Sequence, residues 1–331
     1  MYNLARQSSQ VRNQVFSEAS ARLLINESVV EKDYYVVLML DLLFHQSSYG
    51  KCFAFKGGTS LSKAFQVIER FSEDIDLILD WRVLGYELNE PWMERSKKAQ
   101  LRFNEEAREK TSEWIRNVLL PDLTFQMEKL NLNGFELVVK EGDPRTIEVH
   151  YPNSFKDVGI LQEIRLEIGP MAAWTPHSDK AIQSYLSKVF PEVLDFSKTI
   201  IPTVEAKRTF WEKATILHKE ANRKTNFTPK RYSRHYYDLY MMSKTKIKEE
   251  AFQDIQLLEK VVKFKMKFFS DNTAKYEEAT SNSIKLLPQE IQLPRLREDY
   301  KNMEKMMFGE FPSFDEIIDG IERLEREIHQ I

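Results

Sequence analysis

The chain has 331 residues, of which 42% are hydrophobic and 30% charged, a composition that is typical of a globular protein and argues against disorder. Its formal net charge is only −3, so no strong overall field attracts nucleic acid, and a polyanion would have to bind at a local basic patch. The single cysteine, Cys52, excludes an internal disulfide and a cysteine-rich zinc module.

The N-terminal segment is polar and predicts neither a signal peptide nor a membrane anchor. It contains Arg6, Arg12 and Glu18 in place of the apolar core that a signal peptide needs. The most apolar stretch, residues 36–44, is too short to cross a bilayer and includes Asp41. We therefore expect a cytoplasmic protein with no membrane partner.

Residues 1–200 are predicted to form a domain of mixed helices and strands. Ser28 and Glu31 have the spacing of a capping box, which predicts a helix that begins there and continues to about Phe44. Further along, short apolar runs and alternation of apolar and polar residues predict strands. In chain order, the other predicted elements are a strand at 52–55, a turn at 56–60, a helix at 61–68, a strand at 74–79, helices between 96 and 132, a hairpin of strands 135–140 and 146–151, and a strand at 161–168.

Residues 201–331 are predicted to be almost entirely helical and to end in a helix at 314–328, where apolar residues recur at helical spacing. Two domains are also expected from the length of the chain. The scarcity of glycine and proline, at 10 and 12 residues, favours long helices. The predicted fold class is therefore α+β, with a small mixed β-sheet in an N-terminal domain at 1–200 and a helical C-terminal domain at 201–331.

Asp74 and Asp76 are the first candidate site residues. They lie two apart on a predicted strand, so both carboxylates leave the same face, while Ile75 and Leu77 point into a core. Two neighbouring carboxylates repel each other unless a cation neutralises them, and a small set of hard oxygen ligands suits Mg²⁺. The alternative is that the pair is simply the solvated end of a strand.

The glycine turn before that strand is the second candidate feature. Gly57 and Gly58 stand between a strand and a helix, where backbone N–H groups and the helix dipole can hold phosphate. Thr59 and Ser60 carry hydroxyls that can donate to phosphate oxygens. The alternative is a tight turn in which Thr59 or Ser60 is an ordinary N-cap. Because Asp74 and Asp76 follow on the next strand, the turn predicts hydrogen-bond donors to a triphosphate beside carboxylates that bind metal.

A third carboxylate would complete a two-metal site. Glu167 is the best candidate, because it lies near the end of the predicted strand at 161–168 and shares a face with Glu163 and Arg165. A charge on a solvent-facing strand edge is the alternative account of Glu167.

Several runs of the sequence together resemble one known family. The chain is similar in these runs to the AbiEii/AbiGii nucleotidyltransferase toxins, which belong to the DNA polymerase β-like nucleotidyltransferase superfamily. The resemblance covers most of the chain. Its runs are EKDYYV at 31–36, FKGGTSL at 55–61, RFSEDIDL at 70–77, RTFWEK at 208–213, RHYYDLY at 234–240, KMKFF at 265–269 and MMFGE at 306–310.

The resemblance implies roles for the matched residues. Asp74 and Asp76 would hold two Mg²⁺ ions, and the turn at 57–60 would grip the triphosphate. Lys213 would neutralise the triphosphate during transfer, and Asp238 would be a further essential carboxylate. The resemblance also implies a nucleotidyltransferase fold for 1–200 and a helical domain at 201–331 that completes the active site.

The residues themselves leave other accounts of the helical candidates open. Lys213 could form a surface salt bridge with a neighbouring glutamate. Arg234 and Asp238 are four apart, so they could pair along one helix face for purely structural reasons. Alternatively, Asp238 orients Arg234 or Lys213 toward the nucleotide.

A basic and aromatic segment is the best candidate for contact with RNA, through its backbone and stacked bases. A solvated loop is an equally good account of it. The segment contains Arg223, Lys224, Phe227, Lys230, Arg231, Tyr232, Arg234, Tyr236 and Tyr237.

The function expected from these features is Mg²⁺-dependent transfer of a nucleotide from a nucleoside triphosphate to an RNA acceptor, for example tRNA. The protein would act as a toxin and have a cognate antitoxin protein as its partner. One alternative keeps the site but modifies a protein side chain. Another is a non-catalytic nucleotide-binding module that signals by occupancy.

Overall fold

The computed structural model describes residues 1–157, 160–170, 176–225 and 229–331. Its backbone contacts divide the chain into two compact units. The first unit contains residues 1–64 and 71–204, and the second contains residues 65–70 and 205–331. The short segment 65–70 is thus flanked on both sides by chain of the first unit. In the described ranges, we find no helix with the length and apolar character needed to cross a bilayer.

A single mixed sheet organises the described part of the first unit. Its strand order is β3-β4-β5-β2-β1-β7-β6; β2 runs parallel to β5 and β1 parallel to β7, while the other neighbours are antiparallel. The sheet confirms the predicted α+β class. The strands are β1 (Phe53–Lys56), β2 (Asp74–Leu79), β3 (Glu136–Val139), β4 (Thr146–His150), β5 (Glu163–Gly169), β6 (His177–Ile182) and β7 (Thr199–Val204).

The helices of the first unit enclose its core together with one face of the sheet. The central helix α3 is buried along nearly its whole length. It belongs to the same apolar cluster as Ile75, Leu77 and Leu79, which are fully buried on β2. The predicted alternation of β2 is confirmed, because Asp74 and Asp76 are only partly buried. The helices are α1 (Tyr2–Ala5), α2 (Ser9–Leu23), α3 (Glu27–Asp41), α4 (Gly57–Lys63), α5 (Lys97–Trp114), α6 (Leu120–Lys129) and α7 (Tyr185–Val189).

The predicted start of α3 is wrong. Its N-cap is Asn26, whose side chain accepts a hydrogen bond from the backbone N–H of Ser28 at 2.9 Å. Glu31 does not cap the helix, because its buried carboxylate accepts from the backbone N–H groups of Ser154 and Phe155 instead. A distant loop therefore uses the acceptor that the local sequence assigned to a capping box.

The region around residues 57–68 also differs from the prediction. Helix α4 begins at Gly57, so residues 57–60 form its first turn rather than a turn before it. The helix ends at Lys63, and the segment 65–70 has no regular helix.

The second unit is helical in its described residues, as the sequence predicts. Helix α8 packs against α9, α10 and α11, while α9 also packs against α12 and α13. Phe210, Trp211, Tyr236 and Tyr237 are fully buried in these contacts. The helices are α8 (Ala206–Ala221), α9 (Ser233–Ser243), α10 (Lys246–Gln253), α11 (Ile255–Phe268), α12 (Leu293–Met303) and α13 (Phe314–Ile328), the last of which confirms the predicted terminal helix.

Candidate active site

The glycine turn and the paired aspartates lie together in the first unit. Strands β1 and β2 are antiparallel, and their register places Lys56 opposite Asp76. Gly57 follows at once with φ of +82°. A Cβ at this position would overlap the Asp76 carboxylate, so the backbone at the start of α4 lies directly against that carboxylate. The predicted proximity of the turn and the carboxylates is thus present in the structure.

Asp74, Asp76 and Glu167 share a region of the sheet. Strand β5 runs parallel to β2, with Arg165 opposite Asp74 and Glu167 opposite Asp76. Glu167 is exposed. Arg165 also forms an ion pair with Glu163 at 2.7 Å. Even so, the described ranges contain no group of three His, Cys, Asp or Glu side chains arranged to hold a metal ion. The structure therefore pairs Glu167 with Asp76 across the sheet, but among the described residues it does not arrange the three carboxylates around one metal position.

The hydroxyls of the turn point inward. Thr59 and Ser60 are fully buried. The Thr59 hydroxyl donates to the backbone carbonyl of Asp74 and lies 2.9 Å from the Ser72 Oγ. Ser60 donates to the carbonyl of Gly57 at 2.8 Å. In this structure the Thr59 hydroxyl connects α4 to the start of β2 and the Ser60 hydroxyl bonds within α4, contrary to the expectation that they donate to phosphate. The backbone N–H groups in the first turn of a helix lack intrahelical partners and are the remaining donors.

A buried charge cluster stands in the second unit, around Asp238 on α9. Asp238 is fully buried and accepts from Arg70 through both oxygens, at 2.7 Å from Nε and 2.8 Å from Nη2. The Lys213 Nζ lies 2.7 Å from the Asp238 Oδ2. Burial by itself would raise the pKa of Asp238, but the charges of Arg70 and Lys213 outweigh it and hold the pKa well below its usual range. Asp238 is therefore an ionised carboxylate that is ion-paired with both Arg70 and Lys213.

The structure decides between the alternative accounts of Lys213 and Arg234. A surface salt bridge is wrong for Lys213, because its side chain is buried and burial lowers its pKa. Within the described residues, Asp238 forms ion pairs with Arg70 and Lys213 and not with Arg234, so the predicted pair along α9 is wrong. Arg234 is partly exposed, and its charge contributes to the lowered pKa values of Lys213 and His235.

Arg70 is the functional candidate that sequence reasoning missed. In the sequence it stands within the run RFSEDIDL with no role predicted for it, yet it forms the bidentate contact with Asp238. The neighbouring backbone is also held, since the Glu69 N–H donates to the Tyr237 hydroxyl at 3.1 Å. The Phe308 N–H donates to the Glu69 carbonyl at 2.9 Å. No local sequence pattern predicts these contacts, because they join residues that are far apart in the chain.

The basic and aromatic segment is less available than expected. Tyr236 and Tyr237 are fully buried, so the expectation that they stack on bases is wrong. Phe227 lies outside the described residues. Lys224 and Lys230 are exposed, and Tyr232 is partly exposed, with its ring edge-on to His235. Arg223 is bound to Glu220 at 2.9 Å, which reduces the exposed basic candidates of this segment.

Comparisons with known proteins gave one family match and one structural match to report. A family model described as nucleotidyl transferase AbiEii toxin, type IV toxin–antitoxin system, matches residues 41–320. Among solved structures, the chain is similar to MenT4, a nucleotidyltransferase toxin from Mycobacterium tuberculosis H37Rv, with 16% identity and a TM-score of 0.45. That match covers 95% of this chain and 97% of the MenT4 chain. The comparison with curated proteins gave no match.

Proposed function

The chain belongs to the AbiEii family of nucleotidyltransferase toxins of type IV toxin–antitoxin systems, and from this premise we propose that it transfers a nucleotide from a nucleoside triphosphate to an RNA acceptor such as tRNA. The observation that carries the proposal is the contact between the Gly57 backbone and the Asp76 carboxylate. It puts a helix N-terminus, which favours phosphate, beside a carboxylate that favours a cation. A Mg²⁺-bound triphosphate satisfies both at once.

The donor set fits Mg²⁺ better than a metal that needs a complete protein cage. Asp74 and Asp76 would hold the two Mg²⁺ ions, with Glu167 as a further ligand from the adjacent strand. Mg²⁺ is commonly bound by one or two carboxylates, with water and substrate phosphates as the other ligands. Because the described ranges contain no group of three His, Cys, Asp or Glu side chains arranged for a metal ion, Asp74 and Asp76 would be the main protein ligands, and Glu167 would join them only when the ions are bound. Bound there, Mg²⁺ would neutralise charge on the phosphates.

The chain's own groups would do the rest of the work. The backbone N–H groups of Gly57 and Gly58 would bind phosphate oxygens, since neither residue has a side chain in the way. In the reaction, the oxygen of an acceptor hydroxyl attacks the α-phosphorus and forms a new P–O bond as its proton passes to solvent. The bond from the α-phosphorus to the bridging oxygen breaks and releases pyrophosphate. Lys213 would offset the negative charge that grows on the pyrophosphate.

Asp238 would serve this reaction through Lys213. It is buried and bound to two cations, so it orients the lysine ammonium rather than touching substrate. Arg234 would contact the nucleotide, because it is a partly exposed cation whose charge acts on Lys213. These assignments rest on the contacts of Asp238 and on the family to which the chain belongs.

The exposed Lys224 and Lys230, with Tyr232, support an RNA acceptor. Lysines close in sequence to a partly exposed ring suit a phosphate backbone with stacked bases. We place the reaction in the cytoplasm, where triphosphates and RNA are available and a cognate antitoxin would restrain the toxin.

The test uses the full-length protein with each α-labelled nucleoside triphosphate, Mg²⁺ and a cell extract. The expected result is label in a fraction that ribonuclease destroys and protease does not. Label lost only to protease would overturn the RNA acceptor and support modification of a protein side chain. Triphosphate binding without release of pyrophosphate from any of the nucleotides would leave a non-catalytic binding module. Asp179→Asn, on exposed β6, is a control that should label RNA like the wild type.

A further inference from the structure

We infer that helix α3 positions the candidate site through two buried ion pairs, Lys32 with Glu73 and Asp33 with Lys63. One pair fixes the chain immediately before Asp74, and the other fixes the end of α4. The four side chains are positioning residues: they act on substrate only through the backbone that they hold. This inference rests on the proposed function, and it concerns residues of the first unit alone.

The first pair fixes the start of β2. The Lys32 Nζ lies 2.8 Å from the Glu73 Oε2 and donates to the carbonyl of Leu161 at 2.8 Å. The same Glu73 oxygen accepts from the Leu161 N–H at 3.2 Å. Both charged side chains are almost completely buried, at 0% and 2% exposure. Because Glu73 directly precedes Asp74, these three contacts hold the backbone from which the Asp74 carboxylate projects. They also hold Leu161, two residues before the start of β5.

The second pair fixes α4. Lys63 and Asp33 form an ion pair, with side-chain exposures of 4% and 0%. The other Asp33 oxygen accepts from the Tyr185 N–H at 2.6 Å, and the Lys63 Nζ lies 3.6 Å from the centre of the Tyr185 ring. Lys63 ends the helix whose first residue is Gly57. A displacement at Lys63 would therefore move the glycine backbone against the Asp76 carboxylate.

The energetics favour a role beyond stability. Taking two charges out of water costs much of what their attraction returns, so a well-packed apolar pair of the same volume is often as stable. An ion pair with hydrogen-bonded flanks differs from apolar packing in its directionality, which fixes where each side chain lies. Adjacent residues of one rigid helix here reach both flanks of the site. A small misplacement of catalytic groups is costly to rate, so such directional contacts suit a site that must hold carboxylates and a phosphate-binding backbone together.

The test removes each pair as a whole, because loss of one partner would leave a buried charge and unfold the protein for an unrelated reason. The variants are Asp33→Asn with Lys63→Met, and Lys32→Met with Glu73→Gln. The thermal unfolding midpoint of each double variant should lie closer to that of the wild type than the midpoints of the corresponding single variants do. Nucleotide transfer to the labelled acceptor should fall about 10- to 100-fold, the effect of a displacement of about 1 Å at a reacting centre. The first double variant should mainly raise KM for the triphosphate, and the second should mainly lower kcat.

Asp41→Asn is the matched control. Asp41 lies on the same helix, is buried, and is hydrogen-bonded to Tyr2 and Thr199; among the described residues its carboxylate forms no hydrogen bond or ion pair with α4 or β2. It should lose stability while keeping kcat and KM. If the Asp33/Lys63 double variant does not fold, Asp33→Glu takes its place, and Glu73→Asp takes the place of the Lys32/Glu73 double variant, since each keeps the charge and changes the side chain by one methylene. Each should still impair transfer.

Crystal structures of the variants provide a readout that does not depend on activity. Movement of Gly57 or Asp74 relative to Asp76 supports the inference. Unchanged positions, together with kcat and KM within twofold of the wild type, would overturn it. A wild-type protein that transfers no nucleotide to any acceptor would instead contradict the proposed function, and the crystal structures alone would then decide the positioning role.

Discussion

Gly57 and Asp76 occupy neighbouring space so closely that no side chain fits at position 57. An added Cβ would overlap the Asp76 carboxylate, and the backbone φ of +82° is one that side chains rarely adopt. The two requirements are independent, because one comes from the local turn and the other from the strand pairing that places Lys56 opposite Asp76. Because they are independent, the cost of forcing a side chain into a positive φ can be measured separately from the cost of displacing the Asp76 carboxylate.

Gly57→Ala is therefore predicted to abolish nucleotide transfer, whereas Gly85→Ala is not. Gly85 has a similar φ of +86° but has nothing within 4 Å of an added Cβ. Both variants should lose about 1–2 kcal/mol of stability from the left-handed backbone. Only Gly57→Ala also displaces the carboxylate. Urea denaturation and a transfer assay measure the two effects, and equal activity in the two variants would contradict the proposed use of this contact.

The paired aspartates lead to a second prediction. Asp74→Asn and Asp76→Asn should each lower kcat by about 100- to 1,000-fold, since loss of a metal ligand removes several kcal/mol of charge stabilisation from the transition state. Folding should be unaffected, because both side chains lie at a partly exposed strand start. Chelation by EDTA should abolish transfer, and added Mg²⁺ should restore it. Asp179→Asn, on exposed β6, should change nothing.

Glu167→Gln separates a metal ligand from a solvent-facing charge. If Glu167 binds the ion, the variant should need about 10-fold more Mg²⁺ for half-maximal transfer, a typical cost for weakening a metal site. At saturating Mg²⁺ its kcat should approach that of the wild type, because Asp74 and Asp76 remain. An unchanged Mg²⁺ titration would make Glu167 a solvent-facing charge on the exposed face of β5, which lies between β4 and β2 and is not a sheet edge.

The part of the candidate site on β2, with Asp74 and Asp76, could be predicted from sequence because its signals are local. Ile75 and Leu77 alternate with aspartates, so both the strand and its exposed face follow from the period of two. Strands β6 and β7 were not predicted. In β6 the run Ser178-Asp179-Lys180 is polar on a sheet edge, and in β7 Pro202 interrupts an apolar run, which argues against a strand in any reading of local pattern.

The charge cluster of the second unit could not be predicted in the same way. Arg70 and Asp238 are 168 positions apart, and helix spacing suggested Arg234 as the partner of Asp238 instead. A pairing rule for residues four apart describes what a lone helix allows. In the folded protein the fully buried Asp238 instead binds Arg70, which lies in a segment that the sequence assigned to the first domain.

The Asp238 cluster predicts different costs for its members. Asp238→Asn leaves Arg70 and Lys213 as buried cations without a carboxylate, and it should destabilise the protein by about 3–5 kcal/mol. Lys213→Met keeps the bidentate Arg70 contact and should cost only about 1–3 kcal/mol, the value of one charged hydrogen bond. Both should lose transfer. Arg234→Met should keep stability but raise KM for the triphosphate. Equal denaturation midpoints for the first two variants would contradict this order.

His218 predicts an acid-sensitive fold in the second unit. The ring is fully buried on α8; its Nδ1 accepts from the Lys285 N–H at 3.0 Å, and its Nε2 donates to the Lys275 carbonyl at 3.0 Å. A second proton on Nδ1 would face an N–H donor. Burial lowers the pKa of His218 below its ordinary value, although the Lys275 carbonyl opposes this.

Because the folded pKa lies below the unfolded value of about 6.5, the unfolded chain takes up the proton first. Stability from the neutral ring is thus complete above about pH 6.5 and is lost as the pH falls from there toward the folded pKa. His235, whose pKa burial also lowers, adds a loss of the same sign. The midpoint temperature of thermal unfolding should therefore fall between pH 7 and pH 5. The variant His218→Gln, whose side chain can still donate and accept hydrogen bonds, should make this fall smaller. Exposed His45→Gln is the control. A slope that His218→Gln leaves unchanged would show that the ring is protonated as easily in the folded protein as in the unfolded chain.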